Sequence, residues 1–111
     1  MEISSKQQGT ATVIAIKGSI DGITAAAITE YLSKQVSLGN AKLVADMTEV
    51  DYVSSAGLRV LLGAAKESRR NDGDLRLAAA EHNILEILQM AGFLTILKHY
   101  ETVSDAIVSF E

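Results

Sequence analysis

Apolar residues along this chain switch between two periods, and the switches mark out its elements. Thr12 to Lys17 (Thr-Val-Ile-Ala-Ile-Lys) is β-branched and apolar and predicts a strand. A weaker strand is predicted from Ile3 to Gln7, ahead of a Gln8-Gly9 turn. Gly18-Ser19-Ile20-Asp21-Gly22 reads as a loop. Ile28, Leu32 and Val36 then form one stripe of a helix from about Thr24 to Leu38, ended by Gly39-Asn40. Leu43, Val44 and Ala45 make a short, continuously apolar strand of the kind buried on both faces.

After that strand the segment from Asp46 to Leu62 passes through an acidic turn, with Glu49 and Asp51, into Ser54 and Ser55. Leu58, Leu61, Leu62 and Ala65 follow at helical spacing, and Asn71-Asp72-Gly73 closes the helix. Asp74 to Ala79 predicts another strand. Ile84, Ile87, Leu88 and Ala91 predict a helix ended by Gly92, and Leu94 to Leu97 a last short strand. Val103, Ala106, Ile107 and Phe110 repeat the helical stripe once more. The predicted order, ββαβαβαβα, calls for an α/β fold: a mixed sheet with covering helices.

Composition narrows the function classes. At 111 residues the chain holds one domain, and 48% hydrophobic with 22% charged residues is a globular balance. There is no cysteine, so neither a disulfide framework nor a thiol nucleophile is available. No apolar run approaches the roughly 20 residues that span a bilayer, and Met1-Glu2-Ile3-Ser4-Ser5-Lys6 is unlike a signal peptide. The expectation is a cytoplasmic protein without membrane insertion. The net charge of −4 argues against direct nucleic-acid binding, and the one basic cluster, Lys66, Arg69 and Arg70, sits where cations complement a helix C-terminus.

Catalytic and metal chemistry find few candidates. His82 and His99 fall on different predicted elements without a ligand partner at zinc spacing, so no metal site is expected. No phosphate-cradling Gly-x-x-x-x-Gly-Lys run is present, and no cofactor is expected. Val53 stands where a nucleophile elbow needs its first glycine. What remains is a pair of serines at a helix start, where Ser54 or Ser55 serves as a cap or takes a phosphate beside the dipole. Asp21 and Asp46 are expected at one edge of the sheet, as neighbours of those serines.

Asp46-Met47-Thr48 and Val50-Asp51-Tyr52-Val53-Ser54-Ser55-Ala56-Gly57-Leu58 together resemble the signature of STAS domains, the anti-sigma factor antagonist family. Gly18, Ile20 and Asp21 resemble a second family element, and Ile84 to Phe93 the family's third helix and the turn after it. The resemblance covers nearly the whole chain, taken as one STAS domain over residues 1–111. Alignment on Gly57 and Leu58 puts Ser55 at the family's phosphorylated serine. Ser54 falls where many antagonists carry aspartate, Ala56 where they carry Ser, Thr or Ala, Ser19 where relatives of the sporulation type often have Glu, and Arg59 where those relatives often have Gly.

The resemblance implies a non-enzymatic partner-switching regulator of transcription. Its unphosphorylated form would bind a serine-kinase anti-sigma factor with a histidine-kinase-like ATPase domain. Phosphorylation at Ser55 would release it, and a phosphoserine phosphatase would reset it. The implied docking surface comprises Asp21, Asp46, Ser54, Ala56, Gly57 and Arg59. A larger residue at Gly57 is expected to weaken docking while sparing the fold. The alternative is a STAS subunit of a lipid-transport or sensory complex, acting as a binding module without phosphoregulation.

Overall fold

The sheet is organised around its two longest strands, β2 (Ala11–Ile20) and β3 (Lys42–Val53), in the computed structural model, which describes residues 1–111. β1 (Glu2–Gln8) lies antiparallel to β2 on one side, and β4 (Asp74–Ala78) and β5 (His99–Tyr100) follow β3 in parallel on the other, giving the order β1-β2-β3-β4-β5. Parallel neighbours need long crossovers, and helices supply them. These are α1 (Ala25–Ser37), α2 (Ser55–Arg70) and α3 (His82–Met90), with α4 (Val103–Val108) after the last strand. The element order is the ββαβαβαβα read from the sequence.

Alternation along the strands sends side chains to two cores. Ile14, Ile16, Leu43, Ala45, Leu75 and Leu77 face a large cluster with Ile28, Leu32 and Val36 of α1, Leu58, Leu61 and Ala65 of α2, and Ile84 and Leu88 of α3. Ala11, Val13, Val44 and Ala78 face a smaller cluster capped by Ala106 of α4. The central strands are covered on both faces, which is why Leu43, Val44 and Ala45 read as continuously apolar.

Four expectations need correction. β2 runs on through Gly18, Ser19 and Ile20, which were expected in a loop, and β3 continues through the supposed acidic turn to Val53. The cause is register. Two shifts in the β2–β3 ladder, between Ala15 and Lys17 and between Gly18 and Ser19, each insert an extra β3 residue. The β3 positions in the large core are therefore Leu43, Ala45 and Met47, then Val50 and Val53 at spacings of three. Leu94 to Leu97 is not a strand: Phe93–Thr95 forms a 3₁₀ turn after Gly92 (φ 78°), and Leu97 is tucked into the core before β5 begins at His99. On α3, Ile87 lies outside the core at 52% exposure.

One buried ionic network was not foreseen. Asp74, 7% exposed, accepts from Arg69 Nε at 2.8 Å, from Arg76 Nε at 3.1 Å and from the Leu75 N–H at 2.9 Å. Arg69 Nη2 donates to the Ile96 carbonyl, while Arg76 Nη1 donates to the Ser109 carbonyl and stacks on Phe110 at 4.0 Å. Arg69 is thus a structural cation that ties α2 to β4 and to the turn before β5.

Candidate functional site

The site forms where β2 and β3 end together. Ile20 and Val53 are register partners, and the Ile20 carbonyl accepts a hydrogen bond from the Ser54 N–H at 3.0 Å. The first turn of α2 then folds back onto the same carbonyl. A Cβ on Gly57 would stand 2.0 Å from that oxygen, so only glycine permits the approach. The close approach that Gly57 permits is to the chain's own β2. Gly57 is buried, and the expectation that a larger residue there spares the fold does not hold.

The two serines separate by role. Ser54 is the N-cap: its backbone is extended and its Oγ accepts from the Gly57 N–H at 3.1 Å. A cap of this kind stabilises the helix by about 1 kcal/mol relative to alanine. Ser55 is the first helical residue, exposed, and its hydroxyl takes no part in the cap. Ala56 beside it is half-buried, and Arg59 is exposed on the same helix.

Asp21 stands at the neighbouring turn, directly after the carbonyl that receives α2. Its Oδ1 accepts from the N–H groups of Ile23 at 2.9 Å and Thr24 at 3.1 Å. Thr24 Oγ1 in return accepts from the Asp21 N–H at 3.0 Å and donates to the Ser19 carbonyl at 2.8 Å. This reciprocal turn carries the chain into α1. Ser19 Oγ donates to Asp51 Oδ1 at 3.0 Å, linking the ends of β2 and β3 across the sheet. Asp21, held by backbone N–H groups, and Asp51, held by the Ser19 hydroxyl, thus stand at the strand ends from which Ser54 and Ser55 lead into α2.

Asp46 does not join this group. It pairs with Ala15 and Ala78 in the middle of β3, and its Oδ1 accepts from Thr48 through both the N–H (3.1 Å) and the hydroxyl (2.5 Å). Val53 lies seven positions further along the strand, about 20 Å away. It borders a shallow groove with Glu2, Lys17, Thr48 and Glu49 instead.

Sequence reasoning missed one feature of the site. Tyr52 is 54% exposed and, with Ile87 and Asn83 of α3 and Leu58 of α2, lines a small, largely apolar cleft at the end of β3. The helical stripe assigned Ile87 to the core, so nothing in the sequence pointed to α3 as part of this surface.

Neither histidine is poised as a base for Ser55. His82 is exposed at the start of α3, 3.7 Å from Glu86. His99 Nε2 accepts from the Ala80 N–H at 3.1 Å, and burial pushes its pKa below the ordinary imidazole value, an effect opposed by Glu101. No group of three His, Cys, Asp or Glu residues is placed to hold a metal ion. No helix is long and apolar enough to cross a membrane.

The sheet order, the capped α2 and the glycine seated on β2 define a STAS domain. Residues 2–106 match the STAS domain family, and the chain belongs to it. Among relatives, BtrV of Bordetella bronchiseptica is 34% identical over 84 residues, 76% of this chain and 72% of that protein. The anti-sigma-B factor antagonist of Listeria monocytogenes is 31% identical over 85 residues, covering 77% and 75% of the two chains. Among solved structures, TM1081 of Thermotoga maritima superposes with a TM-score of 0.90 at 17% identity, over 96% of this chain and 92% of that one. The Bacillus cell fate determinant SpoIIAA in its phosphorylated form gives 0.74 at 17% identity, over 99% and 100%.

Proposed function

We propose that this chain is an anti-sigma factor antagonist that works by partner switching, with Ser55 as the phosphoacceptor. One observation carries the reading: of two adjacent serines, Ser54 spends its hydroxyl on the cap, whereas Ser55 is exposed and free at the start of a rigid helix. The name of the Listeria relative supports the antagonist role, and the phosphorylated form of SpoIIAA supports the modification.

In this reading the unphosphorylated surface around Asp21, Ser54, Ser55, Ala56 and Arg59 docks on a serine-kinase anti-sigma factor and displaces its sigma factor. Gly57 supports that surface from beneath, and Asp46 lies outside it. The kinase, through its histidine-kinase-like ATPase domain, transfers the γ-phosphoryl group of ATP to Ser55 Oγ. The hydroxyl proton leaves to a kinase base and ADP departs. The added charge, roughly −1.5 to −2 at neutral pH, arrives beside Asp21 and Asp51 and opposes an acidic or apolar partner face. A phosphoserine phosphatase restores the hydroxyl. The chain acts in the cytoplasm, performs no catalysis of its own and contacts no nucleic acid.

The test is incubation with the cognate anti-sigma kinase and ATP, followed by phosphate mapping by mass spectrometry and binding assays on Ser55→Asp. Label at Ser55 with weakened Ser55→Asp binding is the expected result. Absence of label there, with Ser55→Asp binding as tightly as the unmodified chain, overturns the reading and leaves an unregulated binding subunit.

A further inference from the structure

We propose that Arg59 is an internal clamp for the phosphorylated form of Ser55, holding the phosphate on the surface of the domain's own helix. The proposal rests on the assignment of Ser55 as the acceptor and adds what becomes of the phosphate once it is there.

Ser55 and Arg59 are four residues apart on α2 and both are exposed, so they share one face with a rise of about 6 Å between them. The acidic partner would stand N-terminal to the basic one, the favourable order for such a pair on a helix. Arg59 is uncommitted: none of the salt bridges or side-chain hydrogen bonds in the structure involves it. The other cations of α2 cannot substitute. Arg69 is bound to Asp74 and to the Ile96 carbonyl. Lys66 and Arg70 lie 11 and 15 residues beyond Ser55, about 17 and 23 Å along the axis.

The chemistry suits the pairing. A guanidinium presents two parallel N–H donors that match two phosphate oxygens, and its charge is permanent. Phosphoserine at this position would share the end of the sheet with Asp21, in the turn before α1, and Asp51, near the end of β3, both acidic. Arg59 supplies the one free cation within a turn of the helix. The clamp therefore stabilises the dianion where its surroundings would otherwise oppose it. It also withdraws Arg59 from the docking surface in the same step that adds the phosphate.

The experiment uses the full chain carrying phosphoserine at position 55, introduced during translation so that no kinase is needed. Phosphorus NMR follows the second ionisation of the phosphate in this protein and in its Arg59→Gln, Arg59→Lys and Lys66→Gln variants. With the clamp, Arg59→Gln raises that pKa by roughly half a unit or more, Arg59→Lys by less, and Lys66→Gln leaves it in place. Circular dichroism confirms that each variant is folded. An unchanged pKa in Arg59→Gln, or an equal rise in Lys66→Gln, overturns the clamp, since the phosphate would then feel at most the general field of the helix. Because the phosphoserine is built in, that outcome is separate from a failure of any kinase to modify Ser55.

Discussion

Gly57 rests on the carbonyl group of Ile20 so closely that a Cβ at position 57 would stand 2.0 Å from the oxygen. The same oxygen accepts the Ser54 N–H, so one backbone atom of β2 fixes both the cap and the first turn of α2. Gly57→Ala must push the helix off the strand and is expected to destabilise the domain by about 3 kcal/mol. Gly63, six residues on, meets nothing within 4 Å, and Gly63→Ala should stabilise by roughly 0.5–1 kcal/mol through helix propensity alone. Urea denaturation of the pair checks this, and two changes of the same sign would show the contact to be misjudged.

The two serines should part company in stability as they do in geometry. Ser54→Ala removes the acceptor for the Gly57 N–H and is expected to cost about 1 kcal/mol. Ser55→Ala should change stability by no more than about 0.5 kcal/mol, as for an exposed position without a partner, and should abolish phosphorylation. Thermal melts beside a kinase assay separate the two effects.

Ser68 is fully buried on α2, and its hydroxyl finds no hydrogen-bond partner. Burying an unpaired hydroxyl costs on the order of 1–3 kcal/mol, so Ser68→Ala should raise stability by about 1 kcal/mol after allowance for lost contacts. A lower midpoint in urea for Ser68→Ala would mean that the hydroxyl is satisfied in solution.

Asp74 is the opposite case, a buried carboxylate that accepts from two arginines and a backbone N–H. Asp74→Ala strands Arg69 and Arg76 and is expected to cost about 3 kcal/mol. Because Arg76 also holds the Ser109 carbonyl, amide exchange in α4 should accelerate along with that near β4. Unchanged exchange in α4 would show that the last helix is anchored by its apolar contacts alone.

His99 gives stability a pH dependence of definite sign. Its Nε2 accepts the Ala80 N–H, and burial lowers its pKa in the folded protein. The unfolded chain therefore binds a proton first as pH falls below about 6.5. The contribution of His99 is present in full above that value and is lost as pH falls towards the folded pKa. His99→Gln should flatten this part of the stability profile as pH falls below about 6.5. A profile that keeps its slope in the variant would assign the effect to another group.

Much of the fold was legible because helices declare themselves over many residues. The stripes of Ile28, Leu32 and Val36 and of Leu58, Leu61, Leu62 and Ala65 identified α1 and α2, and all of these residues are buried except Leu62, which is half-buried. The reading failed where periodicity is local. Leu43 to Ala45 looked like the whole of β3 because two register shifts turn the alternation of two into spacings of three at Val50 and Val53. Leu94 to Leu97 looked like a strand because a turn that buries Leu97 leaves the same apolar mark as a short strand.

The candidate site divides in the same way. The sequence by itself determined that a capped helix follows an acidic, strand-bearing segment and that Ser54 and Ser55 open it, because capping and amphipathicity are written in neighbouring residues. Which serine caps, what Gly57 is for, that Asp21 is near α2 and Asp46 is far from it, and that Ile87 faces outward were decided only by tertiary structure. The role of Gly57 and the positions of Asp21 and Asp46 depend on where the end of β2 meets the end of β3, a relation between residues more than thirty positions apart. Strand register sets that meeting point, and no local run of side chains encodes a register that two bulges have shifted.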